Sequence, residues 1–179
     1  MKTGWIVLMI FYVFFPIEGV WETGGTAMAF EMTSSAFQQE KMIPAKYTCD
    51  GEDLSPALTW SSPPEGTASF ALVCDDPDAP VGIWIHWVIY NIPAESRGLA
   101  EAVPKKERLP DDTIQGISDF KRIGYGGPCP PSGTHRYYFK LYALDRKLDL
   151  PPGATKKSLL HAMGGHILGE AVLMGRYKR

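Results

Sequence analysis

The chain has 179 residues, 45% of them hydrophobic and 21% charged, with a formal net charge of −2. That is enough apolar material to bury a core, which excludes a disordered chain, and the length suits one ordinary domain. With 18 Lys and Arg against 20 Asp and Glu and no basic run, the composition also argues against a nucleic-acid partner.

Lys2 precedes an apolar and aromatic run from Trp5 to Phe15, which Pro16 ends. A membrane-spanning helix needs about 20 such residues. A positive residue followed by a short apolar stretch is instead the layout of a secretory signal, and Ala27-Met28-Ala29 supplies small residues at cleavage-site spacing. Residues 1–27 therefore read as a signal-like segment and 28–179 as the domain, with export to the periplasm or outside the cell as the expectation. Two alternatives stay open: an uncleaved anchor, and a true start at Met28 with a cytoplasmic product. Removing residues 1–27 leaves 17 basic and 18 acidic side chains, so the charge argument stands either way.

Beyond this segment, short apolar runs alternate with turn signals. Ala57–Trp60 is a strand candidate, followed by the turn cluster Ser61-Ser62-Pro63-Pro64-Glu65-Gly66. Ala68–Cys74 is a continuous apolar strand, stopped at Asp75-Asp76-Pro77-Asp78. Ile83–Ile92 and Arg136–Leu144 are rich in β-branched and aromatic residues, and Ala171–Tyr177 reads as the last strand. Thr155–Glu170 is the one helical pattern, with Thr155 as cap and Leu159, Met163 and Ile167 recurring at spacing four. Gly164-Gly165 falls inside it and is read as a point of close packing on a sheet. Many strands with one late helix near 155–170 predict a mainly β fold, a two-sheet antiparallel β-sandwich with a few peripheral helices.

The three cysteines divide by setting. Cys74 lies in an apolar run, where a buried thiol is expected. Cys49 and Cys129 lie in Gly/Pro-rich loops, and export would let them pair. No CxxC occurs, which argues against a cysteine zinc site.

Polar residues gather at strand ends. Period-two alternation puts Trp84, His86 and Val88 on one face of their strand. It puts His135, Tyr137 and Phe139 on one face of the later strand, with Arg136 and Tyr138 turned away. Asp76-Pro77-Asp78-Ala79-Pro80 offers two carboxylates in a loop stiffened by prolines. Arg136 is expected to form a structural ion pair with an aspartate of that loop. Gly124-Tyr125-Gly126-Gly127-Pro128 can bring backbone close to a ligand. His161 and His166, five apart and about 140° around a helix, do not share a face.

These motifs together resemble the phosphatidylethanolamine-binding proteins, also called Raf kinase inhibitor-like proteins, over residues 30–177. The matching stretches are Tyr47–Gly51 with Ser55-Pro56, Asp76–Pro80, Trp84–His86, Gly124–Pro131 and His135–Tyr137. Gly127-Pro128-Cys129-Pro130-Pro131 is similar to the bacterial and archaeal branch. The resemblance implies a β-sandwich with a small anion-accepting pocket at one end, lined by Asp76, Asp78, His86, Gly127, Pro128, His135 and Tyr137. It also implies inhibition of a protease or kinase, and by analogy a homodimer. The residues themselves suit a phosphoryl anion: imidazoles, a phenol and the Gly127 N–H as donors, one aspartate orienting a histidine, the other receiving an ammonium group. A small anionic or zwitterionic phosphoryl ligand is thus expected, with no cofactor and no resident metal. The competing reading is a hydrolase in which His and Asp act as general acid and base, or in which His86, His135 and an aspartate hold zinc. No Gly-x-Ser-x-Gly elbow supports it.

Overall fold

The computed structural model describes residues 29–179, so the signal-like segment 1–27 lies outside the described residues. Eight strands and one helix follow in chain order: β1 (Glu31–Thr33), β2 (Leu58–Ser61), β3 (Ser69–Asp76), β4 (Trp84–Pro93), β5 (Gly98–Leu99), β6 (Ile114–Gln115), β7 (Thr134–Leu144), α1 (Lys156–Met163) and β8 (Ile167–Lys178). A 3-10 turn spans Ala45–Tyr47.

The strands form two antiparallel sheets, a small one ordered β1-β2-β5 and a large one ordered β6-β4-β3-β7-β8. β3 lies in the middle of the large sheet and is buried along its whole length, which explains its unbroken apolar run. The main core fills the space between the sheets: Met32, Leu58 and Trp60 from the small sheet meet Phe70, Trp87, Phe139 and Leu173 from the large one. A second core lies on the opposite face, where Val73, Val88 and Tyr142 are covered by Leu159 and Met163 of α1 and by Leu148. Each of those two helix side chains is completely buried, a contribution of roughly 1.5–3 kcal/mol apiece.

The late helix is shorter than its sequence pattern. The Thr155 hydroxyl caps it, accepting from the Ser158 N–H at 3.2 Å, but α1 stops at Met163. Gly165 takes φ +78°, a left-handed conformation that glycine adopts without strain, and the chain turns directly into β8. Gly164-Gly165 is thus a terminator and not a packing point. Ile167, which continued the spacing-four stripe, is 46% exposed as the first residue of β8. The last strand accordingly begins at Ile167 and pairs with β7 along nearly its full length.

One further departure concerns β4. Cys74 pairs with Trp87, but its successor Asp75 pairs with Ile85, so β4 carries one extra residue there. This β-bulge at His86 reverses the phase of the strand. Trp87 and Ile89 enter the main core, whereas Ile85 and Val88 face the helix side. Val88 therefore does not share a face with His86. On β7 the alternation is unbroken, and Tyr137 and Phe139 face the main core together.

Candidate functional site

The end of the large sheet where β3 finishes and β4 and β7 begin encloses a cavity of about 200 Å³, lined by Asp76, Ala79, Pro80, Val81, Trp84, His86, Phe120, Cys129, Pro131 and His135. Sequence reasoning named Asp76, His86 and His135 of these, and the sheet brings all three together.

Asp76 is 3% exposed and accepts from His135 Nδ1 at 2.7 Å. A carboxylate only accepts, so Nδ1 carries the proton and the ring is oriented with Nε2 at its free edge. The other Asp76 oxygen accepts from the Asp78 N–H at 2.8 Å, which ties the Pro77–Pro80 loop to the strand end. His86 is 2% exposed and bonded through Nδ1 to the Gly126 carbonyl at 2.7 Å. Its Nδ1 must likewise carry the proton, leaving Nε2 as an acceptor while the ring is neutral. Burial is the main influence on His86 and lowers its pKa, with the Gly126 carbonyl opposing that shift. The ring stands edge-on to Phe120 and Tyr137, at centroid distances of 5.2 and 5.1 Å.

Asp78 does not line the cavity. Its carboxylate is gripped by Arg136, with Nη2 at 2.7 Å and Nε at 2.9 Å, and also accepts from the Arg136 N–H. The guanidinium holds the Asp78 carboxyl below its ordinary range. The ion pair expected for Arg136 is therefore made with Asp78. Gly127 and Pro128 are likewise not among the residues that line the cavity. The Gly127 N–H donates to Asp53 Oδ1 at 2.6 Å and is not available to a ligand. A Cβ at Gly127 would fall 2.6 Å from the Tyr47 carbonyl oxygen, so the close approach that requires glycine is to the protein itself. Tyr137 is fully buried beneath the site. Among the described residues its hydroxyl has no hydrogen-bond partner, and burial, followed by the charge of Asp76, pushes its pKa far up.

Two contributors, Asp53 and Phe120, escaped sequence reasoning. Asp53 fastens the glycine loop through Gly127, Lys105 and Arg122. Phe120 and Trp84 pack at 5.5 Å and form the aromatic wall. Trp84 was legible as a strand residue beside His86, but nothing local marks Asp53 or Phe120, which act across long sequence separations. A disulfide between Cys49 and Cys129 joins the Pro128–Pro131 wall to the loop after the 3-10 turn, while Cys74 is buried and its thiol is pushed up by burial. Among the described residues, no three His, Cys, Asp or Glu side chains are grouped to hold a metal ion.

The two antiparallel sheets make a β-sandwich with a histidine-lined cavity at one end. The chain belongs to the phosphatidylethanolamine-binding protein family, whose model matches residues 33–178. A UPF0098 protein of Methanothermobacter thermautotrophicus is 57% identical over 148 residues, covering 83% of this chain and 98% of its own. Another, from Aquifex aeolicus, is 49% identical over 163 residues, 89% of this chain and 94% of its own. Among solved structures, a phosphatidylethanolamine-binding protein homolog of Chlamydia trachomatis has a TM-score of 0.78 at 42% identity, covering 84% of this chain and 98% of that one. E. coli YbcL, described as a member of the mammalian family, gives 0.78 at 33% identity with the same coverage.

Proposed function

We propose that this protein is a non-catalytic binding protein whose histidine-lined cavity takes a small phosphoryl anion, and that this end of the molecule modulates a partner protein. The observation that carries the reading is the convergence of two imidazoles from different strands, His86 and His135, on one small cavity, each with Nδ1 already fixed. Fixed Nδ1 protons direct both Nε2 atoms to the ligand. A phosphate bearing a P–OH group donates to neutral His86, and His135, its Nδ1 proton held by the Asp76 carboxylate, donates to the anion from Nε2 when the ring carries both protons. Because Asp78 is held by Arg136, no second carboxylate remains for an ammonium group. This favours phosphate or a phosphate monoester over a zwitterion.

Calorimetry near pH 6 with inorganic phosphate and with phosphoethanolamine tests the proposal. Binding is expected for both, at least as tight for phosphate, with His135→Ala weakening it by about tenfold or more. Absence of binding by both ligands would sink it. The partner-directed half rests on Val81 and Ile83, 78% and 59% exposed on the proline-stiffened loop beside the cavity. A protease or kinase partner docked there would be displaced by phosphate, whereas unaltered docking in saturating phosphate would separate the two roles.

The Asp76–His135 pair also favours a second reading, general acid/base hydrolysis of a phosphoester. Turnover that survives stringent purification and vanishes in His135→Ala would establish that reading in place of the first.

A further inference from the structure

A second cleft, of about 450 Å³, opens on the helix side of β4. It shares no lining residue with the histidine cavity. The pleat of β4 separates the two: Trp84 and His86 turn toward one site, and Ile85 toward the other. The floor and walls of the cleft are aliphatic, made by Ile83, Ile85, Ile117 and Leu160. Ile83 and Leu160 are 59% and 41% exposed, so that, among the described residues, two aliphatic side chains flank a ready-made concavity uncovered.

The rim has the opposite character. Lys121, Lys156 and Lys157 surround it, against one carboxylate, Asp119, whose Oδ2 is engaged by the Ile85 N–H at 2.8 Å. Lys156 is paired with the buried Asp75, which it shares with Lys140. Lys121 and Lys157 make no ion pair among the described residues. The first turn of α1 holds no acidic residue, although acids are the stabilising choice there and lysines the unfavourable one. An aliphatic cleft under a cationic rim is complementary to one class of molecule, an apolar body with a single anionic head. Its volume lies within the range of small-molecule sites.

We infer that this cleft binds a small amphipathic anion, a medium-chain carboxylate in chemistry, with the chain on Ile85, Ile117 and Leu160 and the head between Lys121 and Lys157. The site is independent of the histidine cavity and of any phosphoryl ligand.

The test uses the full chain and decanoate below its micellar concentration, followed by calorimetry and by amide shifts in heteronuclear spectra. Decanoate is expected to bind with shifts centred on Ile85, Ile117 and Leu160. Decanol should bind about tenfold more weakly, and decylammonium should not bind. The double variant Lys121→Glu, Lys157→Glu replaces two exposed side chains. It should keep the wild-type circular dichroism and melting temperature while losing decanoate affinity by at least about tenfold. His135→Ala and saturating inorganic phosphate should leave decanoate binding unchanged. Three results would overturn the inference: no decanoate binding, equal binding of decanol or of the charge-reversed variant, or displacement by phosphate. A concentration-dependent dimer in sedimentation velocity, abolished by the double variant and indifferent to decanoate, would instead assign the cleft to a second copy of the chain.

Discussion

Asp75 and Asp76 are adjacent on β3 and both almost fully buried, yet the pleat sends them to opposite faces of the large sheet. Asp75 points to the helix side and is neutralised by two ammonium groups, Lys140 and Lys156. Asp76 points to the cavity and faces a single imidazole, with its second oxygen capping the following loop. The first arrangement closes on itself: its donors are tethered to β7 and α1 and serve to dock the helix. The second leaves the far edge of the histidine ring for something else to occupy. Two identical side chains thus separate scaffold from site, and the difference lies in what their partners have left over.

The largest expected effect concerns the covalent tie on the cavity side. Cys49 and Cys129 are 80 residues apart, and the chain-entropy model assigns a loop of that size about 4.5 kcal/mol of stabilisation. Urea unfolding of the Cys49→Ser, Cys129→Ser variant should show a loss approaching that value. A loss below about 1 kcal/mol would mean that the cavity wall is held by packing alone.

Next comes the contrast between the aspartates themselves. Asp75→Ala strands two cations at a buried position and should cost about 3 kcal/mol in the same assay, while phosphate affinity stays within about twofold. Asp76→Asn removes a charge-assisted hydrogen bond, for about 1.5 kcal/mol, but should weaken phosphate binding by about tenfold. If both variants shift stability and affinity in equal proportion, the division into scaffold and site fails.

A smaller effect is expected from pH. The folded-state pKa of His86 lies below its ordinary 6.5, so below pH 6.5 the unfolded chain binds a proton that the folded chain refuses. Stability should therefore fall on acidification from pH 6.5 until the folded-state pKa is reached, and be fully present above 6.5. Melting temperatures across pH 5 to 8 should show this slope, and His86→Gln should flatten it. Smallest is Arg136→Ala, which breaks a half-exposed pair with Asp78 and should leave the melting temperature nearly unchanged.

Much of this contrast was legible in the sequence. The strands announce themselves as apolar runs between turns, and on β7 unbroken alternation correctly set Tyr137 inward and Arg136 outward toward a loop aspartate. The same rule failed on β4. Trp84–Tyr90 contains no glycine or proline to mark the extra residue, and the bulge is visible only when paired with β3. The overlong helix has a similar cause. Leu159, Met163 and Ile167 keep helical spacing, and only the backbone at Gly165 reveals that the third belongs to a strand. Which of two loop aspartates faces the cavity was not legible, because Asp76 and Asp78 differ only in the partners that folding delivers. Asp53, which fastens the glycine loop from 74 residues away, has no local signature.

The bulge at His86 also makes chain length in β4 a determinant of what is inside. Removing one residue between Trp84 and Trp87 would restore alternation from Trp84 to Ile89, ahead of the second register shift between Ile89 and Ile92, forcing either the histidine or the indole out of its place. Side chains along this strand can drift by substitution, but an insertion or deletion acts as a frame shift in three dimensions, exchanging core for surface as far as the next register shift, between Ile89 and Ile92. Cavity and core are thereby locked in phase, and a library that randomises the cavity must hold strand length constant to remain folded.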